Sequence, residues 1–501
     1  MSVVALVSLY DLENNAVRQL AAGLRLRGHR VLEVYFKDWK NNHLDEPTEY
    51  ELDRLVGLLQ GQGAQLAGIS LRASAYELVG ARVATRLRRA GLYVVIGGWH
   101  ATVRPERCMD FADAVCIGEA DRSFPQWVEA WERGEGDDAP GMLVRVDGSL
   151  RRNPPLPLIE DLDSVPWRDY SSRDKWIIDR HELRQIEPMA RDPLHQVMCS
   201  IGCIQKCNFC HNSFELDAPG SSLRFRSVGS VLEELAARRE ANPAIRRVRF
   251  DDEIFGLSRS WLTEFARRYP VEVGLPFDIL TEPTVVNEVY ADLLQQAGCP
   301  TVHIGIQANE PVNVEHLQRR SSREATLRAV RLLTERKMFL RYLVMVDTPG
   351  TSEVDKRALF DFLQNAPRPY DLYLFSLTWF PGSKLVEDML ELGDLHPSEV
   401  EGQATKTFSQ YRVDLGWPRP MKDRWWLSLM VLEAAEVLPR GALRRIADSG
   451  WGKDRPDSLV KAAQLATLLK TARVARRMVG NGELTAVQVR RWWNPQQLIT
   501  M

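Results

Sequence analysis

The stretch MCSIGCIQKCNFCHNS, residues 198–213, sets four cysteines within twelve positions: Cys199, Cys203, Cys207 and Cys210. The whole chain of 501 residues holds only seven. Cys203-x3-Cys207-x2-Cys210 is a closely spaced three-thiol set, and thiolates are soft ligands that select zinc, copper(I) or iron–sulfur clusters. A structural zinc usually takes four closed ligands, often as two separated CxxC-type pairs. No second pair follows this loop. Three thiolates suit a four-iron cluster, where full ligation needs four cysteines and one iron is here left without a protein ligand. An open metal position is what a catalytic site keeps. Cys199, at a strand end, reads as a core residue, as do Cys108, Cys116 and Cys299.

Working outward, residues 191–392 read as six strand–helix units. The strands are expected near HQVMCS, RRVRFDD, VGLPFDIL, TVHIGIQ, LRYLVMVD and DLYLFSLTWF. Successive parallel units imply a full or partial (β/α)6 barrel of TIM type, with its chemistry at the carboxyl ends of the strands. The cysteine loop follows the first of them.

Residues 1–150 show the same alternation, with strands at SVVALVSL, RVLEVYF, LAGISL, YVVIGG and AVCIGE. This predicts a Rossmann-like α/β domain whose ligand lies beyond the strand ends, at YDLENN, KDWKNN, SLRASAY, GGWHAT and IGEAD. Neither GxGxxG nor GxxxxGK[ST] follows any strand, so the dinucleotide and P-loop fingerprints are missing. Residues 151–190, rich in Pro, Asp and Arg, read as a linker. Residues 393–501 read as a helical cap containing Trp425–Trp426 and Trp492–Trp493. Its helix SLVKAAQLATLLKTARVARRMVG carries Lys470, Arg473, Arg476 and Arg477 near one side, read as the solvated face of a packed helix.

Composition excludes several classes. With 65 basic and 67 acidic residues the net charge is −2, so no global field favours nucleic acid or an anionic membrane. No apolar run approaches the roughly 18 residues that span a bilayer. The N-terminus lacks a basic lead-in and reads as a buried strand. An odd cysteine count in so large a chain argues against a disulfide framework and for a reducing cytoplasm.

CxxxCx(aromatic)C, with Phe209 as the aromatic, resembles the signature of the radical S-adenosylmethionine enzymes. VRFDDEIFG resembles the segment at the second strand that carries a Gly-Gly-Glu-like motif, here Asp251-Asp252-Glu253. VHIGIQANEP resembles the fourth-strand motif, VMVDTPGTSE the turn after strand five, and FPGSKL the turn after strand six. GISLRASAYELVGARVATRLRRAG, VVIGGWHATVRPE and AVCIGEADRSFPQWVEA are similar to the cobalamin-binding domain fused ahead of many such enzymes. The resemblance covers roughly residues 1–390.

That resemblance implies a [4Fe-4S] cluster on Cys203, Cys207 and Cys210. It implies S-adenosylmethionine beside Phe209, Asp252, Glu253 and Gln307. It further implies cobalamin near Ser70, Arg72, Gly97, Gly98, His100, Gly118 and Glu119. No DxHxxG occurs, so a histidine lower ligand is not expected. His100 either meets the corrin or packs within its loop, and His211 reads as a loop residue covering the cluster rather than as a ligand or proton donor. Asp252 and Glu253 suit cofactor binding better than paired acid–base work, because adjacent side chains at a strand end diverge. No catalytic residue is assigned.

The leading reaction is cobalamin-dependent methylation of a weakly activated carbon of a small metabolite. The alternative is non-methylating hydrogen abstraction on a natural-product intermediate. Either needs a flavodoxin- or ferredoxin-type electron donor, and the Trp-rich tail is expected to close the cavity and exclude water.

Overall fold

The computed structural model describes residues 1–38, 45–214, 223–404 and 419–480. They form two compact units. The first comprises residues 1–191, 209–226 and 379–407, and the second residues 192–208, 227–378 and 408 onward.

In the first unit, β1 (Val3–Leu9), β2 (Arg30–Phe36), β3 (Leu66–Ser70), β4 (Tyr93–Gly97) and β5 (Ala114–Cys116) pair in parallel in the order β5-β4-β3-β1-β2. They are apolar and buried on both faces, as helix-covered parallel strands must be. The order reverses between β3 and β1, and an open α/β sheet binds its ligand at such a switch point. Helices Asn15–Leu26 and Ala120–Glu132 cover one side of the sheet, and Glu49–Gly61 and Glu77–Arg89 the other. Asn14 caps the first helix by accepting from the Val17 amide, so that part of the YDLENN loop has a structural duty. Residues 39–42 of the KDWKNN loop lie outside the described residues.

The stretch expected to be a linker contributes strands to the sheet. After β6 (Met142–Val146) and β7 (Ser149–Arg152), β8 (Lys175–Asp179) pairs in parallel with β2, and β9 (Glu182–Gln185) closes that edge antiparallel. The cause is a buried charge network. Arg18, fully buried, donates to both Glu187 oxygens at 2.8 and 2.7 Å, and Lys175 donates to Glu187 at 2.7 Å. Charges that read as solvated linker are paired inside the unit.

In the second unit, β10 (Leu194–Val197) leads to β11 (Ser200–Ile201). After β12 (Arg224–Phe225), which belongs to the first unit, come β13 (Arg247–Phe250), β14 (Phe277–Thr281), β15 (Thr301–Gln307), β16 (Phe339–Val346) and β17 (Tyr370–Ser376). Strands β10, β13, β14, β15, β16 and β17 pair in parallel in chain order. This is the expected partial barrel. Val302, Ile304 and Ile306 pack into the core beneath the helices, and the period of two turns Thr301, His303, Gly305 and Gln307 to the opposite face.

That face is ion-paired low in the strands. Arg247 donates to Asp278 at 3.0 Å, and Arg341 donates to Asp371 at 3.4 Å. Burial, aided by Arg341, pushes the His303 imidazole down to about 4. Its neutral Nε2 therefore faces Arg341 as an acceptor at 3.2 Å.

The described tail helices of the second unit flank its last strand. Helices Met421–Ala435 and Asp457–Gly480 pack beside β17 and helix Glu353–Asn365. Trp425 and Trp426 are buried there, with Trp426 6.0 Å from the Phe360 ring. Apolar helices cover the flank of the last strand, and these tryptophans belong to the core. Lys470 is no solvated residue either: it donates to the Tyr370 and Ala434 carbonyls at 2.9 and 3.0 Å. Arg473 and Arg476 are exposed. Trp492 and Trp493 lie outside the described residues.

Candidate active site

The cysteine loop starts where β10 ends and is fastened on two sides. Asp252, just past β13, is fully buried and accepts the Cys199 amide at 3.2 Å and the Ser200 hydroxyl. Burial drives its carboxyl up to about 6, against hydrogen bonds that favour the charged form. Its oxygens therefore serve the loop entrance, where the sequence suggested a cofactor contact. Glu253 beside it is half-exposed.

Downstream, the Asn208 side chain donates to the His316 carbonyl at 3.0 Å, and its amide donates to the Leu317 carbonyl at 3.4 Å. Cys203 is half-buried and accepts from the Gln205 amide at 3.4 Å. Cys207 is buried, with the Arg319 guanidinium donating to its Sγ at 3.8 Å. Cys210 and Phe209 are half-buried and fall in the first unit. Cys199 is buried in the core of the second.

None of the seven cysteines is in a disulfide. Among the described residues, no three His, Cys, Asp or Glu side chains gather around one ion. A four-iron cluster asks something different, one thiolate on each of three separate irons. Unbridged soft donors in a loop, two of them half-buried, fit that group.

Gln307 ends β15 in the left-handed region, at φ 61°, where the register slips between Gly305 and Gln307. Asn313 holds this bulge: its side chain donates to the Ile306 and Ala308 carbonyls at 3.1 and 2.8 Å and accepts the Ala308 amide at 3.2 Å. A bulge that re-aims a side chain at a strand end is a recurrent active-site device. Asp347, the residue after β16, is also left-handed, at φ 60°, and accepts from Ser376 at 2.6 Å.

In the first unit, the switch point is flanked by Tyr10 and Tyr76, stacked at 5.8 Å, and by the Asp11–Arg72 ion pair. Ser70, Gly97 and Gly98 are half-exposed at the ends of β3 and β4. Gly98 has φ 103°, and a Cβ there would lie 2.8 Å from the Leu71 carbonyl oxygen. We expect Gly98→Ala to destabilise the first unit by about 2 kcal/mol, read as an earlier thermal transition. Gly97→Ala, whose added Cβ would meet only Cys116 Cβ at 3.7 Å, should cost far less.

His100 is a packing residue. It is fully buried, with Nδ1 2.9 Å from the Ser74 hydroxyl and Nε2 3.2 Å from the Glu77 carboxylate. Burial raises the Glu77 carboxyl, but hydrogen bonds with His100 and Arg107 outweigh it and hold it below its usual range. The Gly118 amide donates to Thr102 at 3.0 Å, and Glu119 pairs with the buried Arg224. His211 meets Trp99 at 5.1 Å, and Phe214 meets the same ring at 5.6 Å. Small, half-exposed residues stand at the switch point, and the nearby histidine is turned inward. The residues fit a corrin without a histidine beneath it.

Residues 197–363 match the model of the Radical SAM superfamily, and residues 1–128 match that of the B12 binding domain. The chain thus carries a segment similar to the Radical SAM superfamily behind one similar to the B12 binding domain. An uncharacterized methyltransferase of Pyrococcus horikoshii is 27% identical over 303 residues, covering 59% of this chain and 62% of the relative. The bacteriochlorophyllide d C-12(1)-methyltransferase of Chlorobaculum tepidum is 23% identical over 318 residues, covering 62% of each. The chain thus spans about three fifths of the length of these curated relatives. The structure of the radical S-adenosylmethionine methyltransferase TsrM from Kitasatospora setae superposes with TM-score 0.63 at 17% identity, covering 93% of this chain and all of that one.

Within the radical SAM domain, sequence reasoning missed Asn208, Arg319 and Asn313. Asn208 and Arg319 act through contacts remote in sequence, to His316 and Cys207, and Asn313 through the Gln307 bulge just upstream of it. The available signal was faint: an Arg-Arg pair between the β15 motif and Ser322, which caps the next helix by accepting from Ala325.

Proposed function

We propose that this chain is a cobalamin-dependent radical S-adenosylmethionine methyltransferase acting on a weakly activated carbon of a small metabolite. The observation that carries the reading is a CxxxCxxC loop of unbridged thiols after the first strand of a six-stranded parallel sheet, downstream of a B12-type domain. Cys203, Cys207 and Cys210 hold a [4Fe-4S] cluster. Glu253, Gln307 and Phe209 line the S-adenosylmethionine site, and Asp252 positions the loop. Ser70, Arg72, Gly97, Gly98 and Gly118 border the corrin, with Glu119 and His100 bracing that border from behind. When bound, the cluster passes one electron that cleaves the sulfonium, and the cobalamin carries the methyl group.

The electron comes from a flavodoxin- or ferredoxin-class protein, and the substrate is a small molecule. Among the described residues no helix is long and apolar enough to cross a membrane.

The test is anaerobic reconstitution with iron, sulfide and cobalamin, followed by S-adenosylmethionine and a reductant. The proposal expects bound cobalamin and formation of S-adenosylhomocysteine. Formation of 5′-deoxyadenosine alone, in protein that takes up no cobalamin, would favour non-methylating hydrogen abstraction.

A further inference from the structure

Arg319 is among the most enclosed cations in the second unit, at 6% exposure, and its surroundings are unusual. One terminal nitrogen donates to the Gly305 carbonyl at 2.8 Å, and the other donates to Cys207 Sγ at 3.8 Å. Among the described residues its only carboxylate ion-pair partner is Glu282, 3.5 Å away and 2% exposed. That contact is loose: the Arg319 Nε and Glu282 Oε2 atoms are buried without a hydrogen-bond partner. Gly305 makes the approach feasible, since a Cβ there would stand 3.2 Å from the guanidinium. A buried cation is thus aimed at a sulfur and only partly balanced by its carboxylate.

We infer that Arg319 and Glu282 set the reduction potential of the cluster through Cys207. The inference rests on the reading of Cys207 as a cluster ligand. The step concerned is a one-electron reduction: a low-potential protein donor of the flavodoxin or ferredoxin class is oxidised, and the cluster gains one negative charge. A hydrogen bond and positive charge at a ligand sulfur stabilise the more negative, reduced state, and burial strengthens the effect. Arg319 therefore raises the potential and Glu282 lowers it. Both are positioning residues, acting on the cluster through the sulfur.

The experiment is a redox titration of anaerobically reconstituted protein, followed by electron paramagnetic resonance, on wild type, Arg319→Gln, Arg319→Lys and Glu282→Gln. Wild type must first show about four irons per chain and a reducible signal. If it does not, the cluster reading itself fails, separately from this inference. With the cluster present, Arg319→Gln should lower the reduction equilibrium constant about tenfold, a shift of about 59 mV for a one-electron couple. Glu282→Gln should move it the opposite way, and Arg319→Lys should stay near wild type. A merely structural role would give shifts of one sign or none, and that overturns the inference. Should Arg319→Gln fail to hold iron, the sign of the Glu282→Gln shift alone decides.

Discussion

Alanine at Cys203, Cys207 or Cys210, one at a time, is expected to strip the protein of its brown chromophore and abolish 5′-deoxyadenosine formation. Alanine at Cys199 should leave both. The asymmetry follows from where the thiols stand. Cys199 is sealed in the core beside Val197 and Phe250, and a metal would have to break that packing to reach it. The other three follow in a loop whose entrance and exit are fastened by Asp252 and Asn208. Removing one of three thiolates leaves two, too few to hold a four-iron cluster firmly, so iron should fall from about four per chain towards background. Iron analysis and visible absorption check this directly. Unchanged iron in the three variants, or its loss in Cys199→Ala, would point to a different ligand set.

Asp252 should be the most costly single residue to truncate among the strand-end carboxylates. Asp252→Ala leaves the Cys199 amide and the Ser200 hydroxyl buried without their acceptor, a penalty of about 2–3 kcal/mol. It also frees the loop entrance, so cluster uptake should fall with stability. Asp252→Asn has a separate signature in pH. Burial raises the folded-state pKa from 3.8 to about 6. The contribution of this acid to stability is therefore complete below pH 3.8 and is lost as pH rises through about 6. The full span is roughly 3 kcal/mol, of which about 1 kcal/mol falls between pH 5 and pH 7.5. Asparagine does not ionise, so its urea midpoint relative to wild type should improve by that amount as pH rises. A gap that moves the other way would mean that the charged carboxylate is the stabilised form.

Most of the scaffold was legible because parallel strands buried on both faces leave a strong pattern. TVHIGIQ became β15, its apolar residues packing inward and Thr301, His303 and Gln307 facing away. The cysteine spacing named its own chemistry. What failed to show was polarity turned inward. Lys175 and Glu187 read as a solvated linker, and inside the unit Glu187 is the buried partner of both Lys175 and Arg18. His100 stood at a ligand-facing strand end, yet its side chain folds back onto Ser74 and Glu77. Trp425 and Trp426 belong to the tail expected to close the cavity, and they fill the flank beside Phe360. In each case local pattern reveals the element, and only packing between distant segments decides which way a polar or aromatic side chain faces.

The central claim is a cluster with one iron left open for S-adenosylmethionine. Electron paramagnetic resonance of the reduced, reconstituted protein, recorded before and after adding S-adenosylmethionine, tests it most directly. The account predicts a four-iron signal whose g-values change on addition, because the amino and carboxylate groups bind the iron that no cysteine holds. A four-iron signal that S-adenosylmethionine leaves unchanged would contradict it.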